Sequence, residues 1–141
     1  MQTVRDIMST DVQYCIPLDN MYEVAVKMRE FNVGAIPIVD QGRLVGMITD
    51  RDLVVRGIAE KHPGSTAVTE VMSRELVTVS PDDSVQKAAD IMARHQIRRL
   101  PVVEGGRLVG IVALGDLATN RYSDESAGRA LSEISEQHRV H

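Results

Sequence analysis

Apolar residues recur along this chain first at helical and then at strand spacing, and the same order of elements occurs twice. Spacing of three or four residues predicts one long helix in each half. The predicted apolar stripes are Met21, Val24, Ala25, Met28 and Phe31 in the first half and Val85, Ala88, Ala89 and Met92 in the second. Asn20 followed by Glu23 predicts the N-cap of the first helix. A short strand is expected before each helix.

Two apolar runs separated by a glycine turn follow each helix. They span residues 35–39 and 44–49 in the first half, and 100–103 and 108–113 in the second. This pattern predicts a β-hairpin in each half. Pro37 and Pro101 lack an N–H donor, so their strands are expected at a sheet edge or beside an opening. A second helix is expected over residues 50–58 and 115–121.

The two halves are copies of each other. A shift of 64 residues aligns residues 4–53 with 68–117 without a gap, with 16 identities in the 50 pairs. A repeat of this kind sets the architecture. We therefore predict a first motif over residues 1–58, a linker over 59–67, a second motif over 68–121 and a tail over 122–141. Ala127, Leu131 and Ile134 predict a short amphipathic helix in the tail.

Composition narrows the classes of function. The 141 residues are 43% hydrophobic and 26% charged, as in ordinary globular domains. A net charge of −4 and the absence of Trp argue against nucleic acid as the main partner, because that activity needs a positive field and stacking rings.

Cysteine usage and targeting signals indicate a reducing compartment. Cys15 is the only cysteine, so an internal disulfide is excluded and a buried structural thiol is expected. No apolar run approaches the roughly 20 residues that a membrane span needs, and the N-terminus does not resemble a signal peptide. We expect a cytoplasmic protein with no membrane contact.

The sharpest candidate for chemistry is the turn from the second predicted strand into the second helix. Thr49 and Asp52 lie there in the first copy, and Ala113 and Asp116 occupy the matching positions in the second. A hydroxyl and a carboxylate at a helix start bind the hydroxyls of a sugar or an anion, but they also cap helices and complement the helix dipole. Both interpretations stay open. The shared register of Asp52 and Asp116 favours a shared function.

Arg98 and Arg99 precede the Leu-Pro of the second copy, where the first copy has Gly34 and Ala35. Two adjacent guanidinium groups suit a phosphate clamp, although surface arginines are often merely solvated. The four histidines show no ligand spacing, and no nucleophile is paired with a base. We therefore expect neither a metal site nor an enzyme.

The duplicated order of elements, the Pro before Val-Val or Ile-Val, and the Gly-x-x-Thr-x-x-Asp of the first copy resemble the cystathionine-β-synthase (CBS) domain pair, or Bateman module. The resemblance implies an α/β (α+β) fold of two β-α-β-β-α motifs related by a pseudo-twofold axis. It also implies two clefts for adenosine-containing ligands such as AMP, ADP, ATP, S-adenosylmethionine or NAD, and a homodimer. Ala113 departs from the family pattern at the Thr position.

Carried over by matching positions, the resemblance implies ribose contacts for Asp52 and Asp116, a neighbouring hydroxyl contact for Thr49 and phosphate contacts for Arg98 and Arg99. The adenine walls implied for the Asp116 cleft are Thr10, Val12, Cys15, Val33 and Gly34. Those implied for the Asp52 cleft are Arg74, Leu76, Val79, Ile97 and Arg98.

Two hypotheses of different class follow. In the first, the chain is a stand-alone sensor that binds an adenine nucleotide, catalyses nothing, requires no cofactor and acts on an unknown partner or on its own assembly. In the second, it is a structural dimerisation or interaction protein with vestigial clefts. Under the first hypothesis we expect unequal sites, with ribose held best at Thr49 and Asp52 and phosphate held by the arginine pair.

Overall fold

The computed structural model describes residues 2–119, so the helix expected in the tail lies outside the described residues. The helices are α1 (Val4–Ile7), α2 (Met21–Phe31), α3 (Asp50–Asp52), α4 (Val85–His95) and α5 (Leu114–Ala118). A π-helix spans Leu53–Ile58 and a 3₁₀ turn spans Val68–Glu70. The strands are β1 (Ala35–Asp40), β2 (Arg43–Thr49), β3 (Arg99–Glu104) and β4 (Arg107–Ala113).

The chain forms two compact units whose boundaries differ from those of the sequence repeat. The first-repeat unit contains residues 13–76 and 106–108. The second-repeat unit contains, among the described residues, 2–12, 77–105 and 109–119. Each unit therefore takes its main elements from one repeat and a short segment from the other.

The predicted long helices are present, and their caps explain where they begin and end. The Asn20 side chain accepts the Glu23 N–H at 2.9 Å, which confirms the predicted N-cap of α2. Asn32 and Gln96 end α2 and α4 in the left-handed conformation, with φ of 52° and 55°.

The predicted apolar stripe of α4 is buried, but that of α2 is only partly so. Val85, Ala88, Ala89 and Met92 all lie in the core. In α2, Met21, Val24 and Met28 are buried, whereas Ala25 is exposed and Phe31 is 45% exposed. Assigning Ala25 and Phe31 to the core was wrong, because α2 buries a narrower stripe than its apolar pattern predicts.

Both hairpins form. β1 pairs antiparallel with β2, with Ala35 opposite Thr49, and β3 lies beside β4. Gln41 and Gly42 have φ of 52° and 84° at the first turn, a backbone that favours glycine at the second position. The start of β4 belongs to the first-repeat unit, where Arg107 pairs antiparallel with Arg43.

The short strand predicted before each long helix is reduced to a single bridge. Cys15 pairs with Ile38, and Val79 pairs with Val102, both in parallel. The outer sides of β1 and β3 therefore carry little backbone pairing, which fits the absence of a donor at Pro37 and Pro101.

Each unit has its own hydrophobic core. That of the first-repeat unit includes Ile36, Ile38 and Ile48 at 0% exposure, packed with Val24 of α2. That of the second-repeat unit includes Leu100, Val102 and Met92, again at 0%. These cores hold the second strand and the start of the following helix in each unit. No helix within residues 2–119 combines the length and apolar character needed to cross a bilayer.

Candidate functional site

The turn from β2 into α3 holds Thr49 and Asp52 by reciprocal hydrogen bonds. The Thr49 N–H donates to Asp52 Oδ2 at 2.9 Å, and the Asp52 N–H donates to Thr49 Oγ1 at 3.0 Å. The capping role of both residues is thus present in the folded chain. Because Oγ1 serves there as an acceptor, the hydroxyl proton is still available to a ligand.

The carboxylate of Asp52 keeps limited contact with solvent. Its side chain is 18% exposed, and its second oxygen, Oδ1, lies 4.0 Å from Arg56 Nη1 on the next helical turn. One oxygen is therefore fixed by the backbone, and the other faces only a long ion pair among the described residues. A carboxylate held in this way can accept two hydrogen bonds from adjacent hydroxyls.

The turn from β4 into α5 repeats this geometry without the hydroxyl. The Ala113 N–H donates to Asp116 Oδ2 at 2.9 Å. Asp116 Oδ1 has no hydrogen-bond partner within residues 2–119. Asp52 and Asp116 thus present the same acceptor at matched positions of the two units.

The shared register of these two residues is weaker evidence than the sequence suggested. Asp19 and Asp83 are also matched between the copies, and each accepts a backbone N–H three residues earlier at 2.8 Å. Those two residues cap turns before the long helices. Register alone therefore does not separate capping from ligand binding, and the argument for Asp52 and Asp116 rests on their place at the strand end.

The residue before each proline-containing strand contacts the start of the following helix in its own unit. The Asp50 N–H donates to the Gly34 carbonyl at 2.9 Å, and the Leu114 N–H donates to the Arg98 carbonyl at 2.7 Å. Gly34 and Arg98 are thus each bonded to the residue two positions before the aspartate of their own unit, Asp52 or Asp116.

The predicted wall residues divide between the units. Cys15, Val33, Gly34, Arg74 and Leu76 lie in the first-repeat unit with Thr49 and Asp52, and Thr10, Val12, Val79, Ile97, Arg98 and Arg99 lie in the second-repeat unit with Asp116. Val33 and Ile97 pack partly buried against their own cores. Arg98 and Arg99 are exposed. The assignment of these residues to an adenine wall stays a prediction.

Cys15 is buried at 1% exposure, and its N–H donates to the Pro37 carbonyl at 3.0 Å. Burial raises the pKa of its thiol to about 11, so the thiol stays protonated at neutral pH. A protonated, buried thiol is a poor nucleophile and a poor metal ligand.

Asp50 lies near the site and was not singled out from the sequence. Its carboxylate lies beside Gly34, with Oδ1 accepting the Arg51 N–H at 2.8 Å. The sequence signal for Asp50 is a difference between the copies. Gly34 and Asp50 of the first copy match Arg98 and Leu114 of the second. Within residues 2–119 no group of three or more His, Cys, Asp or Glu side chains is placed to hold a metal ion.

Comparison with known proteins identifies the repeat. The sequence profile of the CBS domain matches residues 4–57 and again 68–123. The CBS domain-containing protein YhcV of Bacillus subtilis is 53% identical over 137 residues, which cover 97% of this chain and 98% of YhcV. An inosine-5′-monophosphate dehydrogenase of Korarchaeum cryptofilum is 36% identical over 115 residues, 81% of this chain but only 22% of that enzyme.

Two solved structures are similar in fold and sequence. Hypoxic Response Protein I with two coordinated zinc ions has a TM-score of 0.77 at 38% identity, covering 84% of this chain and 98% of that one. The CBS domain pair of protein MJ0100, in complex with 5′-methylthioadenosine and S-adenosyl-L-methionine, has a TM-score of 0.73 at 31% identity, with the same coverages. The expected α/β fold of a repeated motif is confirmed.

Proposed function

The chain belongs to the CBS domain family, and from this premise we propose that it is a regulatory module that binds an adenosine-containing ligand and catalyses no reaction. The observation that carries the proposal is the pair of carboxylates, Asp52 and Asp116, each fixed by one oxygen at the end of a half-buried strand. A ribose presents two adjacent hydroxyl donors, and a carboxylate with a second oxygen available accepts from both.

The similarity to the MJ0100 domain pair supports an adenosine class of ligand, since that protein holds two such compounds. Arg98 and Arg99 support a phosphorylated member of the class at the second-repeat unit, because exposed guanidinium groups bind phosphate in a bidentate manner. AMP, ADP and ATP are therefore the first ligands to test, followed by S-adenosylmethionine and NAD. No resident cofactor is part of this proposal.

Binding without catalysis is supported by the groups around the two turns. They offer carboxylates, arginines and one hydroxyl, but no nucleophile in contact with a base. The match to the dehydrogenase covers only 22% of that enzyme, so its activity does not carry over to this chain. Ligand binding changes the affinity of the chain for a separate protein or changes its own assembly. We place this function in the cytoplasm.

A homodimer is the assembly we propose. The large apolar side chains that are exposed within residues 2–119 all belong to the first-repeat unit. Leu18, Tyr22, Val54 and Ile58, here called the apolar face, are 87%, 67%, 57% and 66% exposed. They lie beside or on α2 and the π-helix, which pack together where Gly57 meets Met21. Apolar exposure concentrated in this way is typical of an interface.

The alternative function, a dimerisation protein whose ligand sites are vestigial, is favoured by the same apolar face. Ligand binding distinguishes the two functions, because only the regulatory module requires it. Under the alternative, Arg98 and Arg99 are solvated surface residues.

A thermal-shift screen of the full chain with AMP, ADP, ATP, NAD and S-adenosylmethionine tests the proposal. A ligand at 100 times its Kd stabilises the folded state by about 2.7 kcal/mol, and at least one of the five is expected to raise the Tm by several degrees. The double variant Arg98→Ala, Arg99→Ala is expected to lose most of the ATP shift and to keep any shift produced by adenosine. No shift with any compound at millimolar concentration contradicts ligand binding and leaves the dimerisation function.

A further inference from the structure

The two units differ in charge at one matched position beside the strand-to-helix turn. In the first-repeat unit the hydrogen-bonded pair is Gly34 and Asp50, and in the second-repeat unit it is Arg98 and Leu114. Both members of the pair differ together, and the backbone contact between them is kept in both units.

Geometry shows that Asp50 fills the space that a side chain at position 34 would enter. A Cβ built on Gly34 would lie 3.2 Å from Asp50 Oδ2 and 3.5 Å from its Cγ. In the second-repeat unit the matched position carries the exposed Arg98 side chain, and Leu114 is buried in the core at 7% exposure. The matched position therefore adjoins a carboxylate in the first-repeat unit and carries an arginine in the second.

The neighbouring charged groups do not cancel this difference. Around the first-repeat turn, Arg51 and Arg56 balance Asp50 and Asp52, and Arg56 is committed to the 4.0 Å contact with Asp52. Around the second-repeat turn, Arg98 and Arg99 outweigh Asp116 by one positive charge. The charge difference is therefore local to the matched position, which adjoins a carboxylate in the first-repeat unit and carries a guanidinium in the second.

We propose that Asp50 is a specificity-determining residue that selects against negatively charged ligand substituents at the first-repeat site. This inference rests on the proposed function. The first-repeat site then takes an adenosine whose 5′ substituent is neutral or cationic, such as a thioether or a sulfonium, and the second-repeat site takes a 5′-phosphorylated adenosine. One chain binds the two classes at separate places.

Asp50 acts on a bound ligand through its charge and needs no direct contact with it. Charges act over about 8 Å at physiological ionic strength. Asp50 lies two residues from Asp52, so its charge is close to a ribose that Asp52 holds. Two like unit charges about 4 Å apart in water weaken binding about fivefold.

Calorimetric titration of the full chain with ATP and with 5′-methylthioadenosine tests the proposal. Asp52→Asn and Asp116→Asn assign the sites: ATP affinity is expected to fall at least fivefold in Asp116→Asn and to be retained in Asp52→Asn, whereas Asp52→Asn is expected to remove one 5′-methylthioadenosine site. Asp50→Asn, which keeps the shape and the acceptor for the Arg51 N–H, is expected to strengthen ATP binding at the first-repeat site about fivefold. Asp40→Asn, an equal charge change at the exposed end of β1, is the matched control and leaves ATP affinity unchanged.

Two results would overturn the proposal, and they distinguish its failure from failure of the proposed function. Equal ATP affinity at both sites of the unmodified chain, or the same gain in Asp50→Asn and Asp40→Asn, overturns selection by Asp50 and leaves adenosine binding intact. Binding of neither compound to the unmodified chain overturns both.

Discussion

At the scale of single residues, Asp52 and Asp116 serve two purposes with two oxygens. One oxygen accepts a backbone N–H at 2.9 Å and stabilises the turn, and the other is available for ribose. Replacement by Asn keeps an oxygen for the backbone N–H, but it presents an NH₂ donor where the ribose hydroxyls need an acceptor.

We therefore predict that Asp52→Asn and Asp116→Asn each weaken binding at their own site by about 1.5 to 3 kcal/mol, the cost of losing a charged hydrogen bond. Unfolding midpoints should change little. Asp6→Asn is the control, because Asp6 accepts the Thr3 N–H at the same 2.9 Å without lying at a strand end. Calorimetry that found full affinity at both sites in the Asn variants would remove ribose binding from these residues.

Cys15 gives a pH dependence with a definite sign. Its pKa is 9.0 when unperturbed and about 11 in the folded chain because of burial. Below the lower value both states keep the proton. Between the two values the unfolded chain loses the proton first, so the free energy of unfolding falls as pH rises.

Between about pH 8.5 and about pH 10.5, ionisation of this thiol in the unfolded chain should lower the free energy of unfolding by about 2 kcal/mol, as measured by urea unfolding at the two pH values. Cys15→Ala should lack that part of the loss. Equal losses in the two proteins would mean that the folded thiol ionises normally.

Local sequence predicted the residue contacts that span three positions. Asn20 with Glu23 was predicted as a cap, and capping was one of the two interpretations of Thr49 and Asp52. The contact of Gly34 with Asp50 was not predicted, because it joins residues 16 positions apart and depends on the pairing of β1 with β2.

At the scale of elements, close backbone approach in β4 explains a buried glycine. A Cβ at Gly110 would lie 2.9 Å from the Ser9 carbonyl oxygen and 2.8 Å from Met8 Sδ. Ser9 cannot withdraw easily, since it exchanges two hydrogen bonds with Ile111 at 2.8 and 2.9 Å.

Gly110→Ala should therefore destabilise the chain by about 1 to 3 kcal/mol, the usual cost of overpacking. Gly115→Ala is the matched control: it lies in α5 with nothing within 4 Å of the new Cβ, and alanine in a helix gains about 0.5 to 1 kcal/mol over glycine. Thermal unfolding that ranked the two variants alike would contradict the close packing of β4 against residues 8 and 9.

Periodicity predicted which elements exist better than where they end. Helices α2 and α4 and both hairpins were expected, because each carries a long or repeated apolar pattern. The predicted helix over residues 50–58 is α3 followed by a π-helix, a distinction that an apolar pattern of six residues does not carry. The strands expected before α2 and α4 are single bridges, since one buried residue in each, Cys15 or Val79, provides the pairing.

At the scale of the whole molecule, the second copy of the repeat suggests substitutions in the first copy that test dimerisation. The residues that match Leu18 and Tyr22 in the second copy are Asp82 and Gln86. We predict that Leu18→Asp with Tyr22→Gln lowers dimer affinity by at least tenfold, because burying a carboxylate without a partner in an apolar interface is costly.

Light scattering across a concentration series measures this change. Phe31→His, the residue found at position 95 in the second copy, is the control, at the far end of α2 about 15 Å away. A natural chain of 15.5 kDa at every concentration would rule out the dimer.

The exchange of segments between the compact units could not be predicted from the repeat. The alignment of the copies indicates two motifs in tandem, whereas residues 2–12 join the second-repeat unit and 68–76 join the first-repeat unit. Isolated bridges, Ser9 with Ile111 and Ser73 with Met47, hold these segments in place. Such long-range pairings leave no periodic signal in a single sequence.

The central claim is that this chain binds adenosine compounds at the two strand-to-helix turns. An amide-resolved NMR titration of the full chain with ATP and 5′-methylthioadenosine tests it most directly. Saturable shifts are predicted for the amides of residues 49–52 and 113–116, with ATP acting on the second set and 5′-methylthioadenosine on the first. No saturable shift at millimolar ligand, or shifts confined to the apolar face, would contradict it.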